Sequence, residues 1–101
     1  MTVGKVAIIT GAGTGIGKHT ALALLDEGYS VALAGRRVEL LEAVVDESGA
    51  EGRVIAVPTD VGDAQAVERL FETTHENFGR LDLLFNNAGS GAPAIPLEEL
   101  T

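Results

Sequence analysis

Several short stretches carry residue types that could do chemistry. The first is Thr10-Gly11-Ala12-Gly13-Thr14-Gly15-Ile16-Gly17. It follows an apolar run, Val6-Ala7-Ile8-Ile9, and precedes a helical pattern, Ala21-Leu22-Leu24-Leu25. Glycines in that setting allow a sharp turn and close approach of a ligand to the backbone. A helix opening beyond the turn offers unpaired N–H groups and the positive end of its dipole. Together these make an anion site suited to a pyrophosphate. The other stretches are Gly35-Arg36-Arg37, Asp60-Val61 and Asn86-Asn87-Ala88-Gly89. A guanidinium meets a phosphate with paired donors and a lasting charge. Asp and Asn can serve a ligand, or can simply shape turns through their own side-chain hydrogen bonds.

The glycine spacing is Gly-x-x-x-Gly-x-Gly, at Gly11, Gly15 and Gly17. It is not the commoner pattern with glycines at positions one, three and six, because position six from Gly11 is Ile16. A turn shaped only by packing is the plain alternative. The strand–turn–helix context favours the ligand reading. His19 and His75 fall on different predicted helices, and no Cys, His or Asp grouping has metal-ligand spacing. The acidic runs at 47–51 and 98–99 read as solvated faces.

These stretches need a frame to bring them together. Lys5 to Thr10 reads as a fully buried strand, since its apolar residues are consecutive. A first helix is expected from Gly15–Ile16 to Gly28, and Tyr29 to Ala34 is the second strand. A second helix spans Val38 to Ser48, with Leu40, Leu41, Val44 and Val45 as its apolar stripe. Val54 to Val57 is the third strand, with Pro58 at its end. Asp60 to Asp63 leads into a third helix ending at Phe78–Gly79, with Val67, Leu70, Phe71 and Phe78 facing inward. Leu81 to Phe85 is the fourth strand. Leu97 to Leu100 resembles the first turn of another helix.

The order β-α-β-α-β-α-β requires parallel pairing and crossover connections. The expected fold class is α/β, one half of a doubly wound parallel sheet in strand order 3-2-1-4. Ligand would lie beyond the carboxyl ends of the strands, between the first and fourth. Every stretch singled out above falls at that edge. With nothing after it, the fourth strand would carry an unpaired outer edge, which invites pairing with another chain.

Composition narrows the classes. A chain of 101 residues allows one domain with a modest core. Its 46% hydrophobic content contains no run long enough to span a membrane. It has no cysteine, which excludes disulfides and a thiol nucleophile and suits a reducing compartment. The expected location is the cytoplasm. A net charge of −8 disfavours nucleic acid or an anionic membrane as partner.

Taken together, the motifs resemble the short-chain dehydrogenase/reductase family. Residues 10–17 look like its Thr-Gly-x-x-x-Gly-x-Gly cofactor loop, Asn86 to Gly89 like its Asn-Asn-Ala-Gly motif, and Asp60-Val61 like its Asp-Val. The resemblance covers the whole chain but only the N-terminal part of the family's domain. It implies an NAD(P)-dependent oxidoreductase on a Rossmann fold, acting on a carbonyl or alcohol substrate and homo-oligomeric when intact. By resemblance, Gly11, Thr14, Gly15, Ile16 and Gly17 would line the pyrophosphate and adjoining ribose. Asp60 would accept from the adenine amino group beside Val61, and Asn87, Ala88 and Gly89 would lie along the cofactor.

The residue that meets the adenosine ribose falls roughly 20 residues past the glycine loop. A carboxylate there would favour NAD. Gly35 occupies the position, followed by Arg36 and Arg37. The expected cofactor is therefore NADP, with Arg36 as main contact and Arg37 beside it, and NAD as the alternative. The residue before Gly15 is Thr14, where some NADP-using members carry a base.

The family's acid/base machinery, a Ser and a Tyr-x-x-x-Lys pair, has no match. The one tyrosine is Tyr29, with Leu33 four residues on. The chain therefore reads as residues 1–101 of a single cofactor-binding domain whose catalytic part lies elsewhere, inactive by itself. The competing reading is a non-catalytic dinucleotide-binding module.

Overall fold

The computed structural model describes residues 4–13, 15–50 and 52–86. Its elements alternate: β1 (Val6–Thr10), α1 (Gly15–Asp26), β2 (Ser30–Gly35), α2 (Val38–Ser48), β3 (Val54–Pro58), α3 (Ala64–Phe78) and β4 (Leu83–Phe85). They form a 4-stranded parallel sheet in the order β3-β2-β1-β4, as expected from the sequence. Thr14, Asn87, Ala88 and Gly89, expected to meet the cofactor, and the helix turn expected from Leu97 to Leu100 lie outside the described residues.

Central position explains the consecutive apolar runs. All of β1 is buried, and so are Val31 to Ala34 of β2. Alternate side chains go to opposite faces of the sheet. Ala7, Ile9, Val31 and Leu33 cluster with Ala21 and Leu25 of α1 and with Leu41 and Val44 of α2. Ile8, Ala32 and Ala34 cluster with Leu70 of α3 on the other face. Among the described residues, two helices cover the first face and one covers the second.

The start of the fourth strand differs from the sequence reading, while the third helix begins just after Asp60 to Asp63 as expected. The fourth strand starts at Leu83, two residues late, because Asp82 makes a separate tie to β1. The Val6 N–H donates to Asp82 Oδ2 at 2.9 Å, and the Asp82 N–H donates to the Val6 carbonyl at 2.8 Å. The third helix starts at Ala64, because Asp63 caps it. The Asp63 carboxylate accepts from the Gln65 N–H at 3.0 Å.

The inner face of α3 also differs. Ala66, Leu70 and Thr74 are its buried residues. The expected Val67 and Phe78 are only half-buried, and Phe71 is 39% exposed. Spacing of four residues brings 66, 70 and 74 onto one line. Thr74 tolerates burial because its hydroxyl donates to the Leu70 carbonyl at 2.8 Å.

Candidate functional site

Thr10, Gly35, Pro58 and Phe85 end the four strands on one edge of the sheet. Between β1 and β4 the chain order reverses, which opens a crevice at that edge. Those of the residues singled out by sequence spacing that are described lie at or just beyond this edge.

The β1–α1 turn begins at Gly11, whose φ is +62°, and α1 opens at Gly15, whose φ is +59°. L-residues rarely adopt that conformation. A Cβ at Gly15 would meet nothing within 4 Å, so the backbone angle, not crowding, requires glycine there. The space beside Gly15 at the start of α1 is open. No acidic residue occupies that first turn. Gly17 is buried, whereas Ile16 is 67% exposed at the helix entrance. The turn is fastened sideways by the Ala12 N–H, which donates to the Ala34 carbonyl at 3.2 Å.

Beyond β2 the chain turns at Gly35-Arg36-Arg37. The Gly35 carbonyl accepts from the Thr59 N–H at 2.7 Å, which ties this turn to the end of β3. Arg36 and Arg37 are both exposed. They differ in their partners. Arg37 Nε lies 3.3 Å from Glu39 Oε2. The Glu39 carboxyl is held below its ordinary value, first by a backbone hydrogen bond at Glu39 itself and then by Arg37. Among the described residues Arg36 forms no ion pair. A cavity of about 190 Å³ lies between the two turns, lined by Gly11 and Gly13 on one side, Arg36 and Arg37 on another, and Leu40 and Leu41 below.

Asp60 is exposed, and its Oδ1 accepts from the Gly62 N–H at 2.9 Å. Its second carboxylate oxygen has no partner among the described residues. Val61, 41% exposed, lines a cavity of about 180 Å³ together with Thr10, Val67, Leu84 and Asn86. Thr10 is buried, with Oγ1 3.0 Å from Asn86 Oδ1 and 3.4 Å from the Phe85 carbonyl oxygen. This contact joins the first residue of the glycine motif to the first of the asparagine motif.

The structure thus brings Gly11, Gly15, Ile16, Gly17, Arg36, Arg37, Asp60 and Val61 to one edge. Sequence spacing assigns Leu40 only to the apolar stripe of α2, yet it also lies against Gly13. No sequence signal marks that second contact, because the helical stripe alone accounts for a leucine there. A further recess of about 410 Å³, between Asp26 of α1 and Gly49 after α2, sits at the opposite end of both helices. Among the described residues no three His, Cys, Asp or Glu side chains could hold a metal ion. No helix there is long and apolar enough to cross a membrane.

An open parallel sheet with a glycine turn at its switch point defines a Rossmann-like α/β protein. The chain belongs to the short-chain dehydrogenase family, whose model matches residues 5–101. It is 42% identical over 86 residues to (2S)-[(R)-hydroxy(phenyl)methyl]succinyl-CoA dehydrogenase subunit BbsD of Thauera aromatica, covering 84% of this chain and 35% of that protein. A short-chain dehydrogenase/reductase from Burkholderia phymatum in complex with NAD superposes with a TM-score of 0.82 at 43% identity, over 91% of this chain and 34% of that one. The C-domain of a bacterial malonyl-CoA reductase with NADP gives a TM-score of 0.83 at 33% identity, over 87% and 15%. The chain spans roughly a third of the length of the curated relatives it matches, 35% and 39% in two of them.

Proposed function

We propose that this chain is the dinucleotide-binding portion of an oxidoreductase that uses NADP(H) to interconvert a carbonyl and an alcohol. The observation that carries the reading is the arrangement around the 190 Å³ cavity. On one side stands a glycine turn at a helix N-terminus. On the other stands Arg36, a cation without an ion-pair partner among the described residues. The first suits a pyrophosphate and the second a ribose phosphate. Thr14 belongs with Gly11, Gly15, Ile16 and Gly17 in the first group, and Arg37 supports Arg36 in the second. Asp60 and Val61 would receive the adenine, and Asn87, Ala88 and Gly89 would follow the ligand toward its reactive end.

The bound nicotinamide supplies or accepts the hydride. The residues of this chain hold and orient the dinucleotide and keep its phosphates neutralised. A proton must also reach or leave the substrate oxygen, and we assign that task to residues outside positions 1–101. The lack of cysteine agrees with a cytoplasmic protein, where we place it. The intact protein is expected to form a homo-oligomer and to take a small-molecule substrate. The competing reading, a binding module without turnover, draws on the absence of a Tyr-x-x-x-Lys pair from these 101 residues.

Calorimetric titration of the intact protein with NADP⁺ and NAD⁺ tests the cofactor assignment. A hydrogen-bonded charge contributes about 1.5–3 kcal/mol, so Arg36→Ala should weaken NADP⁺ by about tenfold or more while sparing NAD⁺. Equal losses for both would refute it. Oxidation of NADPH in the presence of a panel of carbonyls separates enzyme from binding module.

A further inference from the structure

The glycine turn lies close against Leu40 of α2 at Gly13. A Cβ built at Gly13 would lie 2.8 Å from Leu40 Cβ and 3.5 Å from Leu40 Cδ1. Carbon atoms pack best at about 3.5–4.0 Å, so the turn and the helix leave no room for a methyl group between them. Leu40 Cβ is fixed to the helix backbone, and no change of rotamer moves it away. The helix cannot easily retreat either, because Leu41 and Val44 anchor α2 in the buried cluster. Leu40 also lines the cavity that Arg36 and Arg37 share with the glycine turn. Its α2 neighbour Leu41 approaches the other turn, with Cδ2 3.4 Å from a Cβ built at Gly35. The first turn of α2 is therefore wedged between the two loops.

We propose that Leu40 is a positioning residue of the dinucleotide site. It is the spacer that sets the gap between the glycine turn and the Arg36–Arg37 turn, and the apolar wall beside the adenosine half of the ligand. This rests on the dinucleotide reading given above. Leu40 acts through Gly13 and through the shape of the cavity, not through any reacting atom. Loss of the Cβ, as in Leu40→Gly, would let the turn settle inward, and cutting the side chain back to alanine would remove the wall. A residue of similar volume would preserve both.

The test uses the full-length protein and five variants: Leu40→Ala, Leu40→Met, Leu40→Gly, Gly13→Ala, and Gly13→Ala combined with Leu40→Gly. Binding of NADP⁺, NAD⁺ and adenosine 2′,5′-bisphosphate is measured by calorimetry well below the lowest melting temperature. Loss of an apolar contact of this size corresponds to about tenfold in affinity. Leu40→Ala should weaken NADP⁺ and the bisphosphate by the same factor, because the loss lies in the adenosine half. Leu40→Met should restore affinity to within about twofold. Gly13→Ala should weaken binding and lower the melting temperature. Adding Leu40→Gly should recover part of both losses, so that the two changes are not additive.

Unchanged bisphosphate affinity in Leu40→Ala overturns the proposal, as do additive effects of the Gly13 and Leu40 changes. Equal loss in Leu40→Ala and Leu40→Met does so too. If the unaltered protein binds neither dinucleotide, the functional reading fails. The Gly13–Leu40 coupling in melting temperature then still decides the spacer.

Discussion

Arg36 and Arg37 adjoin in sequence but face different circumstances. Glu39 pairs with Arg37, whereas Arg36 forms no ion pair among the described residues. On the proposed reading, Gly35 holds the position where a carboxylate would take both ribose hydroxyls and repel a 2′-phosphate. Gly35→Asp should therefore move preference from NADP⁺ toward NAD⁺, read as the ratio of the two dissociation constants. An unchanged ratio would remove Gly35 from the specificity assignment. Gly15 makes a different demand on the chain. Its φ of +59° disfavours any side chain, although space is open around it. Gly15→Ala should lower stability by about 1–2 kcal/mol in thermal or urea unfolding. A smaller effect would mean that the turn relaxes without strain.

At the scale of elements, β4 is a short strand that pairs with β1 over three residues, and the Asp82 carboxylate adds a separate tie just before it. Asp82 accepts from the Val6 N–H at 2.9 Å and from Arg80 at 2.7 and 2.8 Å. Its carboxyl is held below the ordinary aspartate value, first by the Arg80 hydrogen bonds, then by the Val6 N–H and the charges of Arg80 and Lys5, against opposition from burial. A group whose pKa is depressed on folding stabilises the fold above its unfolded pKa. That contribution should fade as pH falls below about 4, the ordinary aspartate value, and vanish as pH passes below the folded pKa. Asp82→Asn should reduce stability at pH 7 by about 1 kcal/mol, as for one charged hydrogen bond partly screened by solvent. The variant should also show a flatter acid limb when unfolding free energy is plotted against pH. Parallel acid limbs in both proteins would show that β4 is held by other contacts.

Across the whole molecule, the two faces of the sheet are unequally filled. The face under α1 and α2 holds Ile9, Leu33, Leu41 and Val44 at full burial. The face under α3 leaves Phe71 39% and Val61 41% exposed among the described residues. In the 101-residue chain, Leu41→Ala should cost about 2–5 kcal/mol, as for a packed core leucine. Phe71→Ala should cost less than that, because water already reaches the ring. Urea denaturation of the two variants checks the order, and the reverse order would contradict the burial pattern. The charge of −8 is likewise a property of the whole molecule and sets no sign at the cavity edge, where Arg36 and the N-terminus of α1 stand.

Strand order and the placing of the glycine, arginine and aspartate stretches at one edge were legible in the sequence. Consecutive apolar runs can be satisfied only in the middle of a parallel sheet, and glycine or proline marks most element ends. The inner face of α3 was not legible. Val67, Phe71 and Phe78 are as hydrophobic as a core requires, yet Ala66, Leu70 and Thr74 point to the sheet. Periodicity names a stripe, but the rotation of a helix is chosen by the small side chains it meets, here Ala32 and Ala34. The same limit applies to Leu40, Thr10 and Asp82. Their partners Gly13, Asn86 and Val6 lie 27, 76 and 76 residues away along the chain. Local pattern determined what each segment became, and only close packing between distant segments decided which atoms meet.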